Sequence, residues 1–211
     1  MKVKNLKSIY WHEFTDKIKT GDIAGVVEPG LVCKLSERLI QPASPYLHFF
    51  LIGDYVPDEN DFVILESIPS HGVAVGRLSW YLPKTVAIFR PNPFKLQELL
   101  QGVDPEKVGR QAVLQATKFG RSKYDFRICF FIGWRTLTGC LRNWARGRGL
   151  GVHYTEFPPS RDKRVICTEA VDEGYRNLYP VFDRNYAVLP ANLMAQHRDG
   201  YLDLICRWEK D

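Results

Sequence analysis

Short stretches of alternating apolar and polar residues are interspersed with longer segments in which apolar residues recur at helical spacing. This mixture predicts an α+β domain built on an antiparallel sheet with packed helices. Helical spacing covers residues 5–19, closed by Gly21, and again residues 31–39. Strand-like runs occupy residues 22–27, 46–52, 61–67, 71–75 and 85–90, with a short helical piece at 77–82. Gly53, Asp54, Pro57, Asp58 and Asn60 supply turn chemistry between the second and third of these strands. Asp104 followed by Pro105 is an N-cap and first-turn pair that opens a helix to about Phe119. A loop rich in Pro, Ser and charge at 156–164 precedes Val165-Ile166-Cys167, and a helix follows to about Leu178. Pro190 starts a helical turn, and residues 201–208 form the closing strand.

Composition narrows the class. The chain has 211 residues, 45% apolar and 25% charged, which excludes collagen-like, coiled-coil and disordered readings. That length supports one well-buried core, so residues 1–211 are read as a single domain with a helical insertion at about 126–160. No apolar run approaches the roughly 18 residues needed to span a bilayer. The basic start, Met1-Lys2-Val3-Lys4, leads into charged and aromatic residues rather than an apolar stretch, so the expected compartment is the cytoplasm. A net charge of +5 permits an anionic partner without demanding one. Cys33, Cys129, Cys140, Cys167 and Cys206 are widely spaced and form no C-x-x-C pair. A disulfide framework and a zinc site are therefore not expected, and no cofactor is implied.

The strands at 46–52 and 61–67 carry candidate chemistry. Alternation puts Tyr46, His48, Phe50 and Ile52 on one face of the first, and Phe62, Ile64 and Glu66 on one face of the second. A hairpin centred on Pro57 makes His48 and Glu66 direct cross-strand neighbours, with Cβ atoms roughly 5 Å apart. A slip of two residues leaves them diagonal and still in reach, whereas a slip of one separates them. The pair reads either as a buried histidine satisfied by a carboxylate or as part of a catalytic site.

Cys167 stands where a helix begins. Unpaired backbone N–H groups and the positive end of the helix dipole favour a thiolate there, and the same donors suit an oxyanion. The alternative is a buried structural cysteine. Of the other histidines, His71 is the main rival base but sits between Ser70 and Gly72 as an exposed loop residue. His12, His153 and His197 show no convergent partner.

Phe130, Trp134, Leu137, Leu141 and Trp144 recur at the spacing of one helix face, with Arg135, Arg142 and Arg146 on the opposite side and Arg148 beyond. No acidic residue occurs from Phe126 to Val152. The leading expectation is an aromatic stripe packed on the core beneath solvated arginines. The functional alternative is a surface for phosphates, on an anionic membrane or a nucleic acid.

Several segments in fixed order resemble the circularly permuted papain-like family related to NlpC-type peptidases, the YiiX and YaeF group. Its more distant relatives include lecithin–retinol acyltransferases. Gly21-Asp22 matches the family's "GD" strand, Leu47-His48 its "SH" strand and Leu65-Glu66-Ser67 its "LEA" strand. Tyr124-Asp125 matches its "YD" segment, Cys167-Thr168-Glu169 its late "CSE", and 188–193 its closing Pro-containing element. Leu47 and Thr168 replace serines of that pattern. The resemblance implies Cys167 as nucleophile, His48 as general base and Glu66 as the residue that orients the imidazole. The activity expected is that of a cysteine hydrolase or acyltransferase on an amide, ester or thioester. The competing expectation is a non-enzymatic module that uses its arginine-rich segment on an anionic membrane or nucleic acid, with no specific nucleic acid predicted.

Overall fold

Strand-forming residues concentrate in six segments that pair into one antiparallel sheet. The computed structural model describes residues 10–99, 104–118, 120, 124, 126–157, 166–186 and 188–209. The strands are β1 (Ile23–Val26), β3 (His48–Val56), β4 (Asp61–Ile68), β5 (Gly72–Arg77), β6 (Val86–Pro91) and β8 (Leu202–Trp208), in spatial order β5-β4-β3-β1-β6-β8. A separate pair, β2 (Ile40–Gln41) and β7 (Val152–His153), runs parallel. The helices are α1 (Leu31–Leu39), α2 (Pro93–Leu99), α3 (Pro105–Thr117), α4 (Phe126–Ala145), α5 (Cys167–Tyr175) and α6 (Pro190–Arg198). The chain is thus a mixed α+β protein with helices packed on an antiparallel sheet.

Period-2 alternation splits the core into two layers. Ile23, Phe49, Leu51, Leu65 and Phe89 face α3, α5 and α6 through Val108, Ala112, Val171, Tyr175 and Leu193. On the reverse face Phe50, Ile52, Phe62, Ile64 and Ile88 are covered by Trp11, Phe14 and Ile18. Close crossings depend on glycine. Gly174 lets α5 approach α3 and β3, since a Cβ there would lie 2.6 Å from Leu51 Cδ1 and 2.9 Å from the Ala112 carbonyl. Asp104 caps α3 by accepting from the Glu106 N–H at 3.0 Å, as its sequence predicts.

Several expectations change. The strand carrying the histidine begins at His48, so Tyr46 leaves the His48 face and packs in the Phe49 layer, 5.5 Å ring to ring from Phe89. The first helix is described only over 10–15, and residues 5–9 lie outside the described residues. α3 ends at Thr117 and α5 at Tyr175, after which residues 176–178 turn. α2 was not anticipated; Asn92 starts it, its side-chain oxygen accepting from the N–H groups of Phe94 and Lys95 at 3.0 and 3.1 Å. The proposed insertion is one 20-residue helix, α4, followed by β7. Among the described residues no helix is long and apolar enough to cross a membrane.

Candidate active site

The β3–β4 hairpin puts its charged residues within reach by an offset register. Across the ladder Glu66 faces Phe50, and the register shifts between Ile52 and Tyr55. The extra residue sits in the Gly53-Asp54 stretch, so the direct opposition of His48 and Glu66 is incorrect and the two are diagonal neighbours. Diagonal residues share a face, and the side chains close the gap: His48 Nε2 lies 2.8 Å from Glu66 Oε2. Glu66 is 3% exposed, and Gly76 on β5 leaves it room, since a Cβ at that position would stand 2.8 Å from Oε1. Tyr81, from the turn after β5, donates its hydroxyl to the same Oε2, and its ring stacks on His48 at 5.7 Å between centroids.

Cys167 is the first residue of α5, 8% exposed, and α5 packs along β3 through Val171 and Tyr175. Its start is fixed on both sides. Glu169 accepts from the Ile166 N–H at 2.9 Å, and buried Thr168 donates to the Val188 carbonyl at 2.6 Å. The thiol donates to the Leu47 carbonyl at 3.7 Å, and the His48 side chain is close enough to lower its pKa. Glu66 engages Nε2 of the ring.

The electrostatics of the three groups reinforce one another. Burial alone disfavours an imidazolium, yet hydrogen bonds to Cys167 and Glu66 and their negative charge push His48 up to about 9. Burial likewise opposes a thiolate at Cys167, but the His48 hydrogen bond and charge, with the N–H groups of Phe49 and Thr168, hold it below its ordinary value. Burial opposes the Glu66 carboxylate too, and His48, Tyr81 and the nearby Lys84 charge keep it ionised. Cys167, His48 and Glu66 thus form one chain of interacting groups, in which the thiol and the carboxyl are lowered and the imidazole raised from their ordinary values.

The remaining candidates fall elsewhere. His71 is exposed and within 2.7 Å of Ser70 Oγ. His12 pairs with Asp16, His153 bonds Thr155, and His197 donates to the Leu202 carbonyl. Among the described residues no cluster of His, Cys, Asp or Glu is arranged to hold a metal. Asp22, of the Gly-Asp motif, is 1% exposed and takes a fork from Arg90, Nε to Oδ1 and Nη2 to Oδ2 both at 2.7 Å, tying β1 to β6. Asp125 and residues 158–165 lie outside the described residues. Sequence reasoning missed Tyr81, whose signal was a tyrosine one strand beyond the Glu66 hairpin.

The expectation for α4 is reversed. Its aromatic stripe faces outward, with Phe130 76% and Trp144 69% exposed. The face that packs inward is the small one, Thr136, Gly139, Cys140 and Asn143. Gly139 abuts Val152, which a Cβ would meet at 2.8 Å, and Asn143 Nδ2 donates to the Gly151 carbonyl at 2.7 Å. That approach leaves no space for large side chains. Arg135 lies over the Phe131 ring and Arg142 pairs with Glu156, while Arg146 and Arg148 are exposed.

Between α1, α4 and the start of α5 runs an apolar groove of about 970 Å³. Leu35, Leu39, Leu137, Leu141 and Leu189 are among its walls, and Cys167 lines it together with Leu47, Ser44 and Tyr124. No protein-family model matches the chain, and no curated protein matches it either.

Proposed function

We propose that the protein is a cysteine-dependent hydrolase or acyltransferase with a circularly permuted papain-like fold, acting on an amide, ester or thioester. The observation that carries this reading is the chain Cys167–His48–Glu66, in which a helix-start thiol, an imidazole raised to about 9 and a buried carboxylate meet at one end of β3. The order histidine, carboxylate, cysteine along the chain, and the nucleophile helix lying against an antiparallel sheet, agree with a permuted arrangement.

Each step uses a group already placed. The Cys167 thiolate attacks the acyl carbon, forming a C–S bond while the carbonyl oxygen takes negative charge near the backbone N–H groups that open α5. The carbonyl re-forms, the bond to the leaving oxygen, nitrogen or sulfur breaks, and His48 supplies the leaving group with its proton. Water or an acceptor hydroxyl or amine then gives a proton to His48 and displaces the thiolate. Incubation with an activated acyl ester tests this reading: mass mapping finds the acyl group on Cys167 of the wild type and not in His48→Ala. An acyl adduct spread over the other cysteines, or none, contradicts it.

A second reading, a surface-binding module, is supported by the exposed apolar stripe of α4. It expects salt-sensitive binding to an anionic membrane that survives Cys167→Ala.

A further inference from the structure

The groove and the stripe belong to the same helix, and their positions on it are complementary. Gly133, Thr136 and Cys140 form the α4 wall of the groove, and Leu137, Leu141 and Trp144 its rim. Phe130 and Trp134 project beyond that rim into solvent, at 76% and 59% exposure. Arg135 stands on the far side of the helix, Arg146 and Arg148 follow its last residue, Ala145, and no acidic residue interrupts residues 126–152. From Ile132 to Trp144 this wall is roughly 18 Å long. Ser44, Tyr124 and Thr168, which adjoins Cys167, are among the polar residues of its lining.

Resting on the cysteine chemistry proposed above, we infer that the substrate is a long-chain acyl amphiphile taken from an anionic lipid surface. The α4 rim lies on that surface, and the acyl chain enters the groove with its carbonyl at Cys167. An apolar trough that ends on a nucleophile selects a chain attached to an electrophilic carbon, which a polar peptide does not match. An apolar stripe with Trp and Phe, on a helix that carries Arg135 and is followed by Arg146 and Arg148, is a composition that rests in a headgroup layer, and the arginines complement lipid phosphates. α4 is not long and apolar enough to cross a bilayer, so the inferred contact is with its surface. In the reaction the sulfur–acyl bond forms, the acyl bond to the headgroup oxygen or nitrogen breaks, and the His48 proton leaves on that headgroup fragment.

Two arms separate this inference from the catalytic reading. In the first, full-length Cys167→Ala, which turns nothing over, is sedimented with vesicles of phosphatidylglycerol and phosphatidylcholine or of phosphatidylcholine alone. It binds the anionic vesicles, each of Arg135→Gln, Arg146→Gln and Arg148→Gln weakens binding about fivefold, and Phe130→Ala and Trp134→Ala weaken it further. The same variant binds a fluorescent long-chain fatty acid, which long-chain lysophospholipid displaces and a short-chain analogue does not. Gly133→Trp abolishes that site; the position has open space for a Cβ, so the variant folds. In the second arm, wild-type hydrolysis of p-nitrophenyl esters rises in kcat/KM about fourfold per added methylene until the groove is full.

Failure to bind anionic vesicles, or self-association of the chain through α4 instead, overturns the inference. So does turnover that is indifferent to chain length, and that result leaves the cysteine hydrolase standing. Intact vesicle and fatty-acid binding without any ester turnover or acyl-enzyme supports the groove and overturns the catalytic reading.

Discussion

His48 Nε2 and Glu66 Oε2 stand 2.8 Å apart although the residue across the ladder from Glu66 is Phe50. The bulge near Gly53 shifts the register of the ladder, so the two side chains meet diagonally. A direct cross-strand pair would hold the ring square to Glu66.

The first expectation concerns Glu66→Gln. Loss of the carboxylate charge removes one cause of the raised His48 value, so the imidazolium gives up its proton at lower pH than about 9. In a pH–rate profile the alkaline limb moves down, and turnover falls on the order of 10²-fold as the ring loses its orientation. An unchanged alkaline limb contradicts the role given to Glu66.

Tyr81→Phe probes the support of the triad from outside. The phenol donates to Glu66 and stacks on His48, so its loss leaves a carboxylate oxygen short of a donor. Stability falls by about 1–3 kcal/mol. The carboxyl also protonates at higher pH, because the Tyr81 hydrogen bond is among the causes that hold it down. Thermal melts and the acid limb of the rate profile check the two effects separately. A melt that shifts with no movement of the acid limb reduces Tyr81 to a packing residue.

Gly76→Ala tests the space behind Glu66. Its Cβ would press on Oε1 at 2.8 Å and on Ile64 Cγ1 at 3.1 Å. The carboxylate is displaced from His48, and Cys167 reactivity drops while circular dichroism stays native. Reactivity equal to wild type sinks this account of the glycine.

Gly174→Ala is expected to act on the fold. The added methyl would meet Leu51 Cδ1 and the Ala112 carbonyl, forcing α5 away from α3 and β3. Overpacking of this kind costs about 1–3 kcal/mol. The Tm falls about 2–4 °C for each kcal/mol in a chain of this size.

Much of the site was legible because period-2 alternation is local: it put His48 and Glu66 on one face whatever the even register. The exact pairing was not, since the bulge at Gly53-Asp54 depends on how two strands meet. Cys167 was readable as a helix start from the segment around it. Tyr81 was not, because it reaches the site from a turn one strand further on. The outward stripe of α4 misled a reading based on hydrophobicity alone: close approach of Gly139 to Val152 decided which face goes in. The groove was invisible for a related reason, as its walls come from α1, α4 and Leu189, distant in sequence.

Whether Cys167 and His48 form a thiolate–imidazolium pair is read from the rate of alkylation of each cysteine against pH. Mass mapping in wild type and His48→Ala resolves Cys33, Cys129, Cys140, Cys167 and Cys206 in one experiment. Cys167 is predicted to react fastest, at pH well below the ordinary thiol range of about 8.5, and to lose that reactivity without His48. Alkylation of Cys167 that follows an ordinary thiol titration, or is unchanged in His48→Ala, contradicts the account.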